Sequence, residues 1–264
     1  MQYIPVFSPK YLSRQNIGTR AYWHPWVGCT KISEACRHCW VSDEPNFNFR
    51  GFEVEQLKKL ADGTVVSVTL KSDFFYPPAD IYRPEAWKII KEFSNLIFLI
   101  ITKYSDRIAE CLPNDWEQGY DNVILSVTVE NNKRAYERIP KFKEIPAKHK
   151  WLSLAPLLEE INLDSFLGDN WIECIEVLGE RKFSRDTEIE QLRECRYEWV
   201  EHISKQCSAH NIRFSFLGAG HRFIYNSEIY IDYSSCYHSK FADDLNLDVF
   251  SPIIFNLKNG VKII

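Results

Sequence analysis

Six short runs rich in valine, isoleucine and leucine recur along the chain and limit its fold more than any other feature. They are Thr64–Leu70 (TVVSVTL), Leu96–Ile101 (LIFLII), Asn122–Val129 (NVILSVTV), Lys150–Pro156 (KWLSLAP), Trp171–Gly179 (WIECIEVLG) and Ile212–Gly218 (IRFSFLG). Several are continuous rather than alternating, the pattern of strands covered on both faces. Helix signals lie between them. Pro84 suits the first turn of PEAWKIIKEFS, and Ser105 can cap DRIAECL. Cys195, Trp199, Ile203 and Cys207 recur at every fourth position, which makes one apolar helical stripe. Strand and helix in alternation predict an α/β fold, a parallel sheet closed fully or partly into a (β/α) barrel, with a further strand around Thr19–Trp26.

The pattern changes after the sixth run. FIYNSEIYIDY and SPIIFNLKNGVKII read as antiparallel strands, the second turning at Asn259–Gly260. This predicts a barrel domain over residues 1–220 and a β-rich extension over 221–264 packed on it. A chain of 264 residues, 45% hydrophobic, can bury a full core. Its net charge of -4 argues against broad adhesion to nucleic acid or an anionic membrane. The first residues, MQYIPVFSPKYLSRQ, lack a basic cap before an apolar core, and Leu96–Ile101 is too short to span a bilayer. The expectation is a cytoplasmic protein with no membrane partner, whose thiols stay reduced and serve metal or redox chemistry.

Three of the eight cysteines fall within WHPWVGCTKISEACRHCW, Trp23–Trp40. Cys29, Cys36 and Cys39 are separated by six and then two residues. The short Cys36–Cys39 loop lets both sulfurs face one metal centre, and Gly28 helps Cys29 return to it. Two chemistries remain open. A closed zinc site needs a fourth ligand, for which His24 and His38 are the nearest candidates. A [4Fe–4S] cluster on three thiolates leaves one iron free for a substrate or cofactor.

The residues HPWVGC…CRHCW resemble the cluster loop of radical S-adenosylmethionine (SAM) enzymes of the spore-photoproduct-lyase type. They resemble still more a phage and bacterial family that keeps the wider Cys-x6-Cys-x2-Cys spacing. SVTLKSDFF, LIITKYSDRI, ILSVTVENNKRAYERIP, WLSLAPLL, CIEVLGE and IRFSFLG follow in the same order, so the likeness runs from Tyr22 to Gly218. It implies a barrel of the radical SAM type with a [4Fe–4S] cluster on Cys29, Cys36 and Cys39 at the C-terminal mouth of the strands. SAM would chelate the open iron. An electron from a donor such as flavodoxin or ferredoxin would cleave SAM to methionine and a 5′-deoxyadenosyl radical, which takes hydrogen from a substrate. The phage association and the lyase-like loop imply a nucleotide or nucleic-acid substrate.

The same resemblance places Ser72 and Asp73 at the SAM ammonium, where a carboxylate pairs well, although Asp73 also suits a turn. Ser126, Thr128 and Glu130 fall where ribose or methionine is bound. Lys103 would reach the mouth to meet a carboxylate or phosphate, or snorkel to solvent. His38 stands where relatives stack an aromatic near adenine. Glu180 and Arg196 match the phage family by motif, with salt bridges as the plain alternative. Two departures matter: relatives carry Glu at Ala155 and a basic residue at Tyr104, which leaves a changed substrate or a cluster protein that no longer cleaves SAM as alternatives.

A basic stretch, Asn131–Lys150, offers a nucleic-acid face or a solvated helix, and with a zinc site it defines a competing reading as a non-enzymatic binding module. Cys111, Cys174, Cys195 and Cys207 read as packing residues. An auxiliary cluster on Cys195, Cys207 and Cys236 lacks the short cysteine pairs usual for such sites.

Overall fold

A computed structural model of the chain describes residues 21–39, 41, 46–181, 188–231, 242 and 244–264. Seven parallel strands form its central sheet: β1 (Ala21–Trp23), β2 (Val65–Val68), β3 (Ile97–Thr102), β4 (Val123–Thr128), β5 (His149–Leu154), β6 (Cys174–Leu178) and β7 (Arg213–Gly218). Each strand pairs with the next in chain order. A sheet that always steps in one direction places its crossovers on one side and curls, here into a half-barrel. The strands match the six apolar runs within a few residues, and β1 falls inside the seventh expected segment.

Three crossovers carry full helices: α1 (Arg83–Glu92), α2 (Asn132–Glu144) and α3 (Tyr197–Ala209). Pro84 occupies the first turn of α1. Asn131 caps α2 by accepting a hydrogen bond from the Arg134 backbone N–H at 2.9 Å. The helices cover the outer face, where Trp87, Ile90, Ile139, Phe142, Val200 and Ile203 join strand residues such as Phe98, Leu125 and Ile175 in one core. Strand residues from both faces are buried, which is why the runs are continuous in sequence.

Two helix expectations need correction. Ser105 does not cap: it opens a 3-10 turn, Ser105–Arg107, ahead of a four-residue helix, Ile108–Cys111, with no side-chain cap. Cys195 is not on the helical stripe but in a two-residue strand, Cys195–Arg196, that pairs with Arg222–Tyr225. That pairing delays α3 to Tyr197, and its buried stripe becomes Val200, Ile203, Ser204 and Cys207.

The inner face is built differently. Its lower half is mostly apolar, with Val65, Ile97, Leu99, Ile124, Trp151 and Cys174 packed against Ile253, Phe255 and Ile264, and with His149 against Phe255. The last three belong to an antiparallel hairpin, Ile254–Leu257 and Gly260–Ile263, and its flanks. The backbones of Ile253 and Ile264 exchange hydrogen bonds of 3.0 Å in both directions. The hairpin loop is Lys258–Asn259, one residue earlier than the expected turn, with Gly260 (φ 137°) starting the return strand. A second hairpin, Arg222–Tyr225 and Glu228–Ile231, matches the other expected antiparallel pair.

Candidate functional site

A cleft opens where the strands end. Cys29, Cys36, Cys39, Ser72, Asp73, Lys103 and Thr128 share its lining with Lys31, Thr102 and Tyr104. Residues from three strand ends and from the loop after β1 therefore meet at the C-terminal mouth, where parallel barrels place their chemistry.

The cysteine loop starts at Gly28, which has φ +87° and lies so close to the Asn46 carbonyl that a Cβ would sit 2.3 Å from its oxygen. Only glycine fits there. The Gly28 N–H donates to the Lys71 carbonyl at 3.0 Å, and the Ser72 hydroxyl donates to the Gly28 carbonyl. Those bonds hold Cys29 over the end of β2. A 3-10 turn, Glu34–Cys36, then brings Cys36 round, and the Cys39 N–H donates to the Cys36 carbonyl at 3.3 Å. Burial pushes the Cys29 thiol up to about 12; Asp73 and Cys36 nearby add to this, while Lys103 partly offsets it. Metal binding at this thiol must therefore expel a proton.

Asp73 is buried and acts first as a brace. Its Oδ1 accepts from the Phe75 N–H at 2.9 Å and the Thr102 hydroxyl at 2.7 Å, and its Oδ2 accepts from the Lys103 N–H at 2.9 Å. Burial raises its carboxyl above the ordinary range even against these bonds. It thus ties the loop after β2 to the end of β3 while lining the cleft. Ser126 lies one step deeper on β4, its Oγ buried without a partner. Glu130 stands apart from the cleft lining: its Oε2 accepts from Arg138 Nη1 of α2 at 2.7 Å, and its Oε1 has no partner.

His38 is not among the cleft residues; its Nδ1 lies 3.1 Å from Glu180 Oε2. Glu180 follows β6, where Gly220 (φ +79°) lets the loop after β7 lie against the Glu180 backbone. Its buried carboxylate also accepts from the Arg193 N–H at 2.7 Å, from Nε at 3.0 Å and from Nη2. Burial pushes this carboxyl up, but the Arg193 bonds outweigh it and hold it below the usual range. Arg193 Nη1 reaches the Glu34 carbonyl at 2.8 Å. Arg134 of α2 grips the Glu34 carboxylate from Nε at 3.0 Å and Nη2 at 3.2 Å, and holds it down to about 2. A charged latch thus fixes the cysteine loop, which leaves β1 at one edge of the sheet, to elements at the other side of the mouth.

Glu34, Arg134 and Arg193 were not legible as site residues. Their signals were Glu34 lying inside the cysteine loop and Arg134 lying inside the basic stretch.

His24 is not among the cleft residues, and burial and Lys71 lower its pKa. Arg196 pairs with Glu194, its neighbour but one, and lies over Trp199. Cys174, Cys195 and Cys207 are buried packing residues, as is Cys111 beside Arg83, and Cys236 lies outside the described residues. Much of the basic stretch is neutralised within the fold: Arg134 pairs with Glu34 and Glu137, Arg138 with Glu130, Lys143 with Asp169 and Lys148 with Asp121. Among the described residues no three His, Cys, Asp or Glu side chains converge as ligands of a single ion. Among them too, no helix is long and apolar enough to cross a membrane.

Over residues 17–228 the sequence matches the family described as "Protein of unknown function (DUF5131)". No curated protein matches the chain, and no solved structure does.

Proposed function

The chain belongs to the DUF5131 family, and from the site it carries we propose that it is a radical SAM enzyme holding a [4Fe–4S] cluster on Cys29, Cys36 and Cys39. The observation that carries this reading is three cysteines of one loop lining one cleft at the C-terminal mouth of a parallel half-barrel. A cube of four irons takes its thiolates at separate corners, farther apart than the ligands of one ion. Three thiolates leave the fourth corner of such a cube open.

When bound, the cluster and SAM would supply an electron and a carbon radical able to take hydrogen from a substrate. The chain's own residues do the rest. Gly28 and Ser72 set Cys29 over the mouth, and the Glu34–Arg134 and Glu180–Arg193 pairs hold the loop against the barrel. Lys31 and Lys103 give the rim positive charge for the SAM carboxylate. The Oδ2 of Asp73 accepts one backbone bond and keeps a lone pair for the ammonium. Ser126 and Thr128 offer hydroxyls below. A nucleotide or nucleic acid remains the proposed substrate, a small redox protein the proposed electron donor, and the cytoplasm the proposed compartment.

Anaerobic reconstitution tests this directly. The protein should take up about four irons and four sulfides per chain, and Cys36→Ala should lose them. Reduced protein with SAM should release 5′-deoxyadenosine. One zinc with no iron under the same conditions would replace the reading with a metal-stabilised binding module.

A further inference from the structure

The rim of the C-terminal mouth carries more positive charge than the cleft itself uses. Lys31 and Lys103 line the cleft and serve the SAM carboxylate. Three further cations stand outside that lining. Arg37 lies between Cys36 and Cys39, Lys71 follows β2, and Lys133 sits in the first turn of α2, just beyond β4. All three are exposed. Lys133 is near enough to Glu34 of the cysteine loop to help lower its carboxyl, so α2 and that loop share one edge of the mouth. Arg37 and Lys133 have no ion-pair partner among the described residues. The acids of this region are mostly engaged: Glu34 by Arg134, Glu180 by Arg193, Asp73 by Thr102 and the Lys103 N–H, Glu159 by Asn132. Asp106, exposed beyond β3, offsets one charge. In a chain of net charge -4 the rim is therefore locally positive. An aromatic ring completes the set. Tyr136 is 67% exposed and follows Lys133 by three residues on α2, hence on the same helix face. Its ring meets Phe166 in a T-shaped contact, 5.2 Å between centroids, which steadies it without covering it.

We infer that this rim binds a single-stranded nucleic acid, with phosphates on Arg37, Lys71 and Lys133 and a base stacked on Tyr136. The inference rests on the reading above and sharpens its substrate to a nucleotide held within a strand. Cations beyond the cleft lining have no role toward a small molecule inside it, but they suit the phosphates that flank an entering nucleotide. Phosphate-tracking cations beside a stacking ring are the combination by which proteins hold single strands. A duplex fits less well, because its bases are paired and stacked and reach a recessed cleft only by extrusion. An acidic protein would engage the cations and have no use for the ring. The basic stretch Asn131–Lys150 takes part through its first turns alone, since Arg138, Lys143 and Lys148 are held by Glu130, Asp169 and Asp121.

Fluorescence anisotropy of labelled oligothymidylate and oligouridylate, about twelve nucleotides long, tests the inference on the full chain with and without a reconstituted cluster. Log affinity should fall against log salt with a slope of about -2, three contacts at about -0.7 each. Binding of either strand supports the inference, and the tighter of the two identifies it as DNA or RNA. Arg37→Glu and Lys133→Glu should each weaken binding about fivefold or more, and Tyr136→Ala by a similar factor. Lys141→Glu, the same change of charge in the last turn of α2, should leave it unchanged. All four positions are exposed, so the variants keep the fold. An equal loss from Lys141→Glu, or full binding by the Arg37→Glu, Lys133→Glu double variant, would overturn the inference. So would tighter binding of a duplex of the same length, or competition by uridine monophosphate as strong as by the unlabelled strand. Displacement by polyglutamate as readily as by the strand would also overturn it and point to an acidic protein partner. The two readings separate cleanly. Strand binding by a protein that never takes up iron sinks the radical SAM reading alone; a loaded cluster that releases 5′-deoxyadenosine without strand binding sinks this one alone.

Discussion

The two halves of the inner face share the same strands and differ in almost everything else. Below, Val65, Leu99, Ile124 and Trp151 meet the hairpin residues Ile253, Phe255 and Ile264 in a dry contact. Above, Ser126, Thr128, Ser153, Glu176 and Ser215 are buried beside the cleft that holds three thiols. The lower half adds a second apolar core to the one beneath the helices. The upper half carries buried polar groups, and one of them, Ser126 Oγ, has no hydrogen-bond partner. Stability and chemistry are therefore stacked along the same strands, only two residues apart.

The largest effect should come from breaking the lower half. Phe255→Ala removes a fully buried ring from the seal, and denaturant unfolding should show a loss of about 3–5 kcal/mol. Iron content per folded chain should not change. Arg193→Ala attacks the upper half through its latch, leaving the Glu180 carboxylate buried with His38 alone. A loss of about 2–3 kcal/mol is expected in the local stability of the cysteine loop, read by hydrogen exchange. Adding Glu180→Gln should restore part of it, because the unpaired charge is gone.

Arg134→Ala should matter less, about 0.5–1 kcal/mol, since Glu34 is partly exposed. Its pH dependence is the sharper reading. The Glu34 carboxyl is depressed from 4.5 to about 2, so the pair's contribution is complete above pH 4.5 and lost as pH falls through about 2. Protease protection of the loop should differ between the original chain and Arg134→Ala at pH 6, and the gap should close in acid. Smallest of all, Ser126→Ala should shift unfolding by about 0.5 kcal/mol or less, in either direction, because the hydroxyl has no protein partner to lose. A loss of several kcal/mol there would mean that the upper half is structural after all.

Much of the fold was legible because both faces of the sheet are covered. That burial makes β3 and β4 nearly unbroken apolar runs, and the polar residues Ser126 and Thr128 interrupt β4 where the inner face turns toward the mouth. The cysteine loop was legible from spacing alone. Local signals failed where a distant partner decided the outcome. Cys195 carries a helical period, yet pairing with Phe223 makes it a strand residue. Asn131–Lys150 reads as a basic face, yet Arg134 pairs across 100 residues to Glu34 and Arg138 turns inward to Glu130. Arg193 gave no signal, because its partners lie 13 residues before it and, at Glu34, 159 residues before it. Ionic pairs of such separation leave no periodicity to read.

The order in which the segments emerge during synthesis gives the hairpin a second consequence. All seven strands precede residues 253–264, so a nascent chain can have its whole sheet while Leu99, Ile124 and Trp151 still lack their cover. Such an unfinished sheet presents a greasy trough to every neighbouring polypeptide. Chaperone capture should accordingly be strongest at that length of chain and fade once Phe255 docks.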